Sequence, residues 1–85
     1  MSAKSAVLPN LEQHRMAAGV TLSEIARTTC IGSRYLEAIE HGAFDKLPGG
    51  VYTVSYIRQY ARAVGWDEAA LVAYYREVSH TVAGD

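Results

Sequence analysis

Tyrosines recur along the middle of the chain at Tyr52, Tyr56 and Tyr60, each four residues after the last. Arg58 and Arg62 keep the same spacing. Residues four apart lie on one side of a helix, so the two series describe an aromatic row and a separate basic row. This is binding chemistry rather than bond-making chemistry. One tyrosine ring can bury ~150–250 Å². A pair therefore approaches the roughly 300–600 Å² of the largest, often functional, patches on monomers. Tyrosine is also enriched in binding hot spots. The expectation is an exposed pair at Tyr52 and Tyr56, with Tyr60 continuing the row nearer the core edge. Arg58 and Arg62 would form its polar rim.

Other chemistries lack their residues. Serine, histidine and acidic side chains occur, but no strand-turn-helix setting surrounds a nucleophile. Gly49-Gly50 is too short for a phosphate-cradling loop. A single cysteine, Cys30, cannot form an internal disulfide, and no Cys/His spacing fits zinc. Cys30 is expected as a small core filler. The expectation is no enzyme activity, no catalytic residue, no metal and no cofactor.

The elements that would position the tyrosines read as helices throughout. Eighty-five residues, nearly half of them apolar, make one small domain. Met1 to Val7 is small and polar, and is expected as a flexible arm (residues 1–7). Pro9 and Asn10 start a first helix, with Leu11, His14, Arg15 and Ala18 along one side. Thr21 with Glu24 has capping-box spacing. Leu22, Ile25 and Ala26 then form an apolar face. Ile31 plugs a turn, Gly32 or Ser33 caps a third helix, and Gly42 ends it. Helix, short turn, helix over Thr21–Gly42 is a helix-turn-helix pattern.

Phe44 and Leu47 are expected to anchor a loop too broken for an element, and Pro48 blocks helix at Leu47. A fourth helix runs about Val51 to Val64, with Val54, Ile57, Ala61 and Val64 inward. Asp67 caps a fifth helix, in which Leu71, Tyr75 and Val78 face inward. The domain is expected to span 8–79, with a flexible tail at 80–85. No leader and no apolar run near ~20 residues occurs, so the expectation is a chain neither secreted nor membrane-spanning.

Arg15, Gly19-Val20-Thr21, Ile25-Ala26, Leu36, Ile39-Glu40 and Gly42 resemble the Cro/repressor type of helix-turn-helix. The run Leu47-Pro48-Gly49-Gly50-Val51-Tyr52, followed by Tyr56-Ile57-Arg58 and Tyr60-Ala61-Arg62, is more specific. With Tyr35-Leu36-Glu37-Ala38-Ile39-Glu40 and Phe44-Asp45, it resembles the cytoplasmic N-terminal domain of the RodZ cell-shape family. The resemblance covers about residues 8 to 78. It implies an all-α, five-helix domain of Cro/repressor type. It also implies a cytoplasmic adaptor that binds the actin-like filament protein MreB through aromatics of the fourth helix, here Tyr52 and Tyr56. Arg15 and Glu40 would form a partly buried ion pair. A complete family member continues into a membrane anchor, so membrane contact is expected only through a longer parent.

The alternative is a DNA-binding regulator. In a DNA reader the start of the third helix meets base edges, here Gly32, Ser33, Arg34 and Glu37. Arg34 could reach a guanine. Against this, Gly32 has no side chain, Glu37 and Glu40 are acidic, and Leu22 stands where DNA readers often carry glutamine. Net charge is −1, whereas ~6–10 phosphate contacts need a basic face. DNA is therefore the weaker expectation.

Overall fold

All five helices of the described residues open on caps of two kinds, side-chain and glycine. Asn10 Oδ1 accepts the Gln13 N–H at 3.1 Å and opens α1, Leu11–Ala17. Thr21 opens α2, Leu22–Thr29, with a reciprocal capping box. The Glu24 N–H donates to Thr21 Oγ1 at 3.1 Å, and the Thr21 N–H donates to Glu24 Oε1 at 3.0 Å. Such a cap contributes about 1 kcal/mol. Gly32 precedes α3, Ser33–Glu40, without a side-chain cap bond. Gly49 precedes α4, Gly50–Val64. The last helix, α5, spans Glu68–Ala83, and Asp67 Oδ1 accepts the Ala70 N–H at 3.0 Å in its first turn.

This computed structural model describes residues 10–83, with side chains through Ser79. The expected arm at 1–7 lies outside the described residues. Helical backbone continues to Ala83, so the stretch expected to be a tail from 80 begins as helix. Among the described residues there are five α-helices, one 3-10 turn at Phe44–Lys46, and no strand. The fold is the expected all-α helix-turn-helix domain.

The 3-10 turn occupies the segment expected to hold no element. Its anchors behave as expected, since Phe44 and Leu47 are buried. Phe44 meets Tyr74 and Tyr75 of α5 edge-on, with ring centroids 5.9 and 5.2 Å apart. Leu47 is extended before Pro48 (ψ 162°), as a residue preceding proline must be. Gly49 and Gly50 then take φ of +98° and +59°. Side chains avoid this region, so the glycine pair lets the chain reverse directly into α4. Thr53, buried one turn on, accepts the Gly49 N–H at 2.8 Å.

The core is built from Leu11, Ile25, Leu36, Ile39, Ile57 and Leu71, all nearly or fully buried. Each such side chain contributes roughly 1.5–3 kcal/mol. Ile31 is buried in the helix-turn-helix turn as expected. Thr29 holds that turn: its hydroxyl donates to the Ile25 carbonyl at 2.7 Å and accepts the Ile31 N–H at 3.2 Å.

Cys30 corrects an expectation. It is exposed, not a core filler. It ends α2 in the left-handed conformation at φ 63°, and that geometry turns its side chain away from the core. Among the described residues it is the one non-glycine at positive φ. Replacing Cys30 with glycine should relieve the strain and raise stability by about 1 kcal/mol. Thermal denaturation followed by circular dichroism should show a gain of roughly 4–8 °C in Tm. An unchanged or lower Tm contradicts this account.

Candidate functional site

The tyrosine row changes character along α4. Tyr52 is 64% exposed, Tyr56 is half-buried and Tyr60 is fully buried. The cause is helical geometry. At ~100° per residue, each step of four overshoots a full turn by ~40°. Two steps along the series therefore carry the ring from solvent into the core. Tyr60 is not part of any exposed face, which corrects its expected place in the partner-binding set.

Tyr60 is instead one member of a buried network. Its hydroxyl donates to Glu40 Oε2 at 2.9 Å. Arg15 donates to the same carboxylate oxygen through Nε, and its Nη1 donates to the Val20 carbonyl at 2.9 Å. The expected ion pair is present, and Glu40 is only 3% exposed. Its hydrogen bond to Glu40 raises the Arg15 guanidinium above its ordinary value. Burial, and then the carboxylate, push the Tyr60 phenol well above its ordinary value of 10.0. The network ties α1 to α3 and α4, so it fixes the direction in which α4 presents its outer face.

What α4 presents there is Val51, 76% exposed, and Tyr52 beside it. Val51 escaped the sequence reading, although it falls outside the arc of Val54, Ile57, Ala61 and Val64. Tyr56 leans on Tyr35 of α3, with ring centroids 5.7 Å apart and planes tilted by 39°. No periodicity predicts that contact, because it joins two helices. Arg34 sits over the Tyr35 ring, its guanidinium carbon 5.7 Å from the centroid.

The basic row stands apart from the tyrosines. Arg58 and Arg62, with Val51 and Ser55, line a shallow groove that includes neither Tyr52 nor Tyr56. Arg62 is engaged by Glu68, its Nε and Nη2 donating at 2.9 and 3.2 Å. That bond holds the Glu68 carboxyl below its ordinary value. Arg58 is exposed and has no ion pair among the described residues.

Gly32, Ser33, Arg34 and Glu37, the residues of the DNA alternative, are all exposed at the start of α3. Glu40 is not, because its carboxylate points into the core. His14 packs as expected on the inner side of α1. Its Nε2 donates to the Val64 carbonyl at 2.7 Å, and its ring meets Trp66 edge-on at 5.0 Å. Among the described residues no group of His, Cys, Asp and Glu gathers where it could hold a metal ion.

With this geometry in view, comparison with known proteins decides the family. Residues 10–71 match the family described as helix-turn-helix domain. The chain belongs to that family. Within it, this helix-turn-helix domain is RodZ-like. It is 38% identical over 61 residues to the cytoskeleton protein RodZ of Streptococcus pneumoniae, covering 72% of this chain and 22% of that protein. It is also 35% identical over 74 residues to YmfM of Bacillus subtilis, described as an uncharacterized membrane protein, covering 76% of this chain and 26% of that one. The chain thus spans about a quarter of the length of the curated relatives it matches. No solved structure gives a significant match. No helix among the described residues is long and apolar enough to cross a membrane.

The buried network makes two predictions. Glu40→Gln removes the counter-charge of a largely buried guanidinium and should cost about 3 kcal/mol, read by chemical denaturation. The second concerns alkaline pH. The folded state keeps the Tyr60 proton where the unfolded chain loses it, so the stabilisation is complete below pH 10 and falls above it. Tyr60→Phe should flatten that alkaline decline while costing about 1.5–3 kcal/mol at neutral pH. Parallel alkaline declines for the two proteins would contradict the assignment.

Proposed function

We propose that the domain is a non-enzymatic cytoplasmic adaptor, binding the actin-like filament protein MreB in the control of bacterial cell shape. Tyr52 and Tyr56 are the gripping residues, and Arg58 lies apart from them in the groove it shares with Val51. The observation that carries this reading is the exposed Val51–Tyr52 pair on the first turn of α4. Large apolar groups held open on a rigid helix need little reordering to bind, so less of the contact free energy is lost to entropy. The similarity to a cytoskeleton protein supports the same reading. Membrane attachment, on this proposal, belongs to a longer parent chain.

The DNA alternative draws less support from the geometry. The first turn of α3 offers one cation, Arg34, and Glu37 stands one turn away. Gly32 provides no side chain to reach a base.

Co-pelleting with MreB filaments tests the proposal. Tyr52→Ala should weaken binding about tenfold or more, as hot-spot truncations do. The Tyr52→Ala, Tyr56→Ala double variant should lose more, with circular dichroism confirming the fold. Wild-type affinity should change only modestly between 50 and 200 mM salt, where a DNA reader would lose ~10³–10⁵-fold. Undiminished binding by folded Tyr52→Ala, or a salt-steep gel shift that follows Arg34, would overturn it.

A further inference from the structure

Arg34 and Tyr35 lie far from the tyrosine row in sequence, but the fold makes them its continuation. Tyr52 and Tyr56 are one helical turn apart on α4. Tyr56 meets Tyr35 at 5.7 Å, and the Arg34 guanidinium carbon lies 5.7 Å from the centre of the Tyr35 ring. Two rings in contact and one guanidinium therefore run from Tyr56 of α4 onto the first turn of α3, with Tyr52 one turn away on α4.

The charge on this face is one-sided. Arg34 is exposed and has no ion pair among the described residues. No acidic residue occurs anywhere on α4. Glu37 shares α3, but at ~100° per residue it lies on the opposite flank of Arg34 from Tyr35. It lines a separate hollow with Arg34, His41 and Lys46. Glu40 is turned inward to Arg15 and Tyr60. The ridge thus ends on a guanidinium that forms no ion pair among the described residues, with Glu37 one turn along on its far flank.

We infer that the partner-binding surface extends from α4 onto α3. Arg34 is a direct contact in it, and Tyr35 is the positioning residue that braces Tyr56. The complementary patch on the filament protein has an apolar centre and a carboxylate at the edge that meets Arg34. This inference rests on the adaptor reading above. It also means that the start of α3, the segment a DNA reader would use, is covered when the filament protein is bound.

The test measures filament binding by the full domain at 50 and 200 mM salt for Arg34→Glu, Tyr35→Ala and Tyr35→Phe. Tyr52→Ala serves as the control for the adaptor reading, and Arg76→Glu on α5 as a charge control. Thermal melts check that each variant is folded. Arg34→Glu should bind about tenfold more weakly at the lower salt, with the deficit shrinking at the higher salt as screening grows. Tyr35→Ala should weaken binding, while Tyr35→Phe, which keeps the ring, and Arg76→Glu should match wild type. Wild-type binding by Arg34→Glu alongside weakened Tyr52→Ala overturns the inference and leaves the adaptor reading standing. Equal losses for Arg34→Glu and Arg76→Glu also overturn it, since a general charge effect would explain both. Binding that ignores Tyr52 as well removes both readings.

Discussion

A buried carboxylate governs the architecture. Glu40 sits almost wholly out of solvent, where an ion without partners is untenable. It is tolerated because Arg15 and Tyr60 both donate to it. Those donors come from α1 and α4, so satisfying the charge requires three helices to meet in one arrangement. Hydrophobic packing alone is permissive about angle, because apolar surfaces can slide. A guanidinium and a phenol converging on one oxygen cannot. Whether a buried ion pair adds net stability over an apolar substitute varies between proteins. Here its geometric consequence is the important one: α4 has one orientation with respect to the helix-turn-helix.

That orientation decides which tyrosines meet solvent. The same spacing that makes Tyr52, Tyr56 and Tyr60 look equivalent in the sequence makes them unequal in the fold. The ~40° drift per step gives the helix one ring for solvent, one for the boundary with α3 and one for the core. Tyr60 anchors and Tyr52 projects. Tyr56, between them, is held by Tyr35. The row is a single device with a buried end and an open end. The open end takes its direction from the ionic centre at the buried one.

Features set by neighbouring residues were legible in the sequence. Thr21 and Glu24 announce their capping box at fixed spacing. Ile31 is the one large apolar residue in its turn, and it is buried. The Arg15–Glu40 pair became readable through the family resemblance, since nothing local links residues 25 apart. Features set across the fold were not legible. Tyr60 shows no sequence sign that a carboxylate on another helix receives its hydroxyl. Cys30 reads as a small apolar residue, and only the turn geometry sends it outward at positive φ. The 3-10 turn at Phe44–Lys46 is stabilised by Tyr74 and Tyr75, which lie far along the chain. Val51 was legible in principle, because it lies off the arc of Val54, Ile57, Ala61 and Val64.

The helix-turn-helix pattern shows what a shared scaffold does and does not carry. Its capping box, turn plug and buried ion pair are requirements of packing, and they hold whatever the outer surface does. Function resides in what the scaffold exposes. At the start of α3 this chain exposes a glycine, a serine, one arginine and one glutamate. On α4 it exposes valine and tyrosine, which gain by leaving water. The same three-helix junction that would aim a reading helix at a groove thus aims an aromatic edge outward. On the adaptor proposal, that edge is what a protein surface would meet.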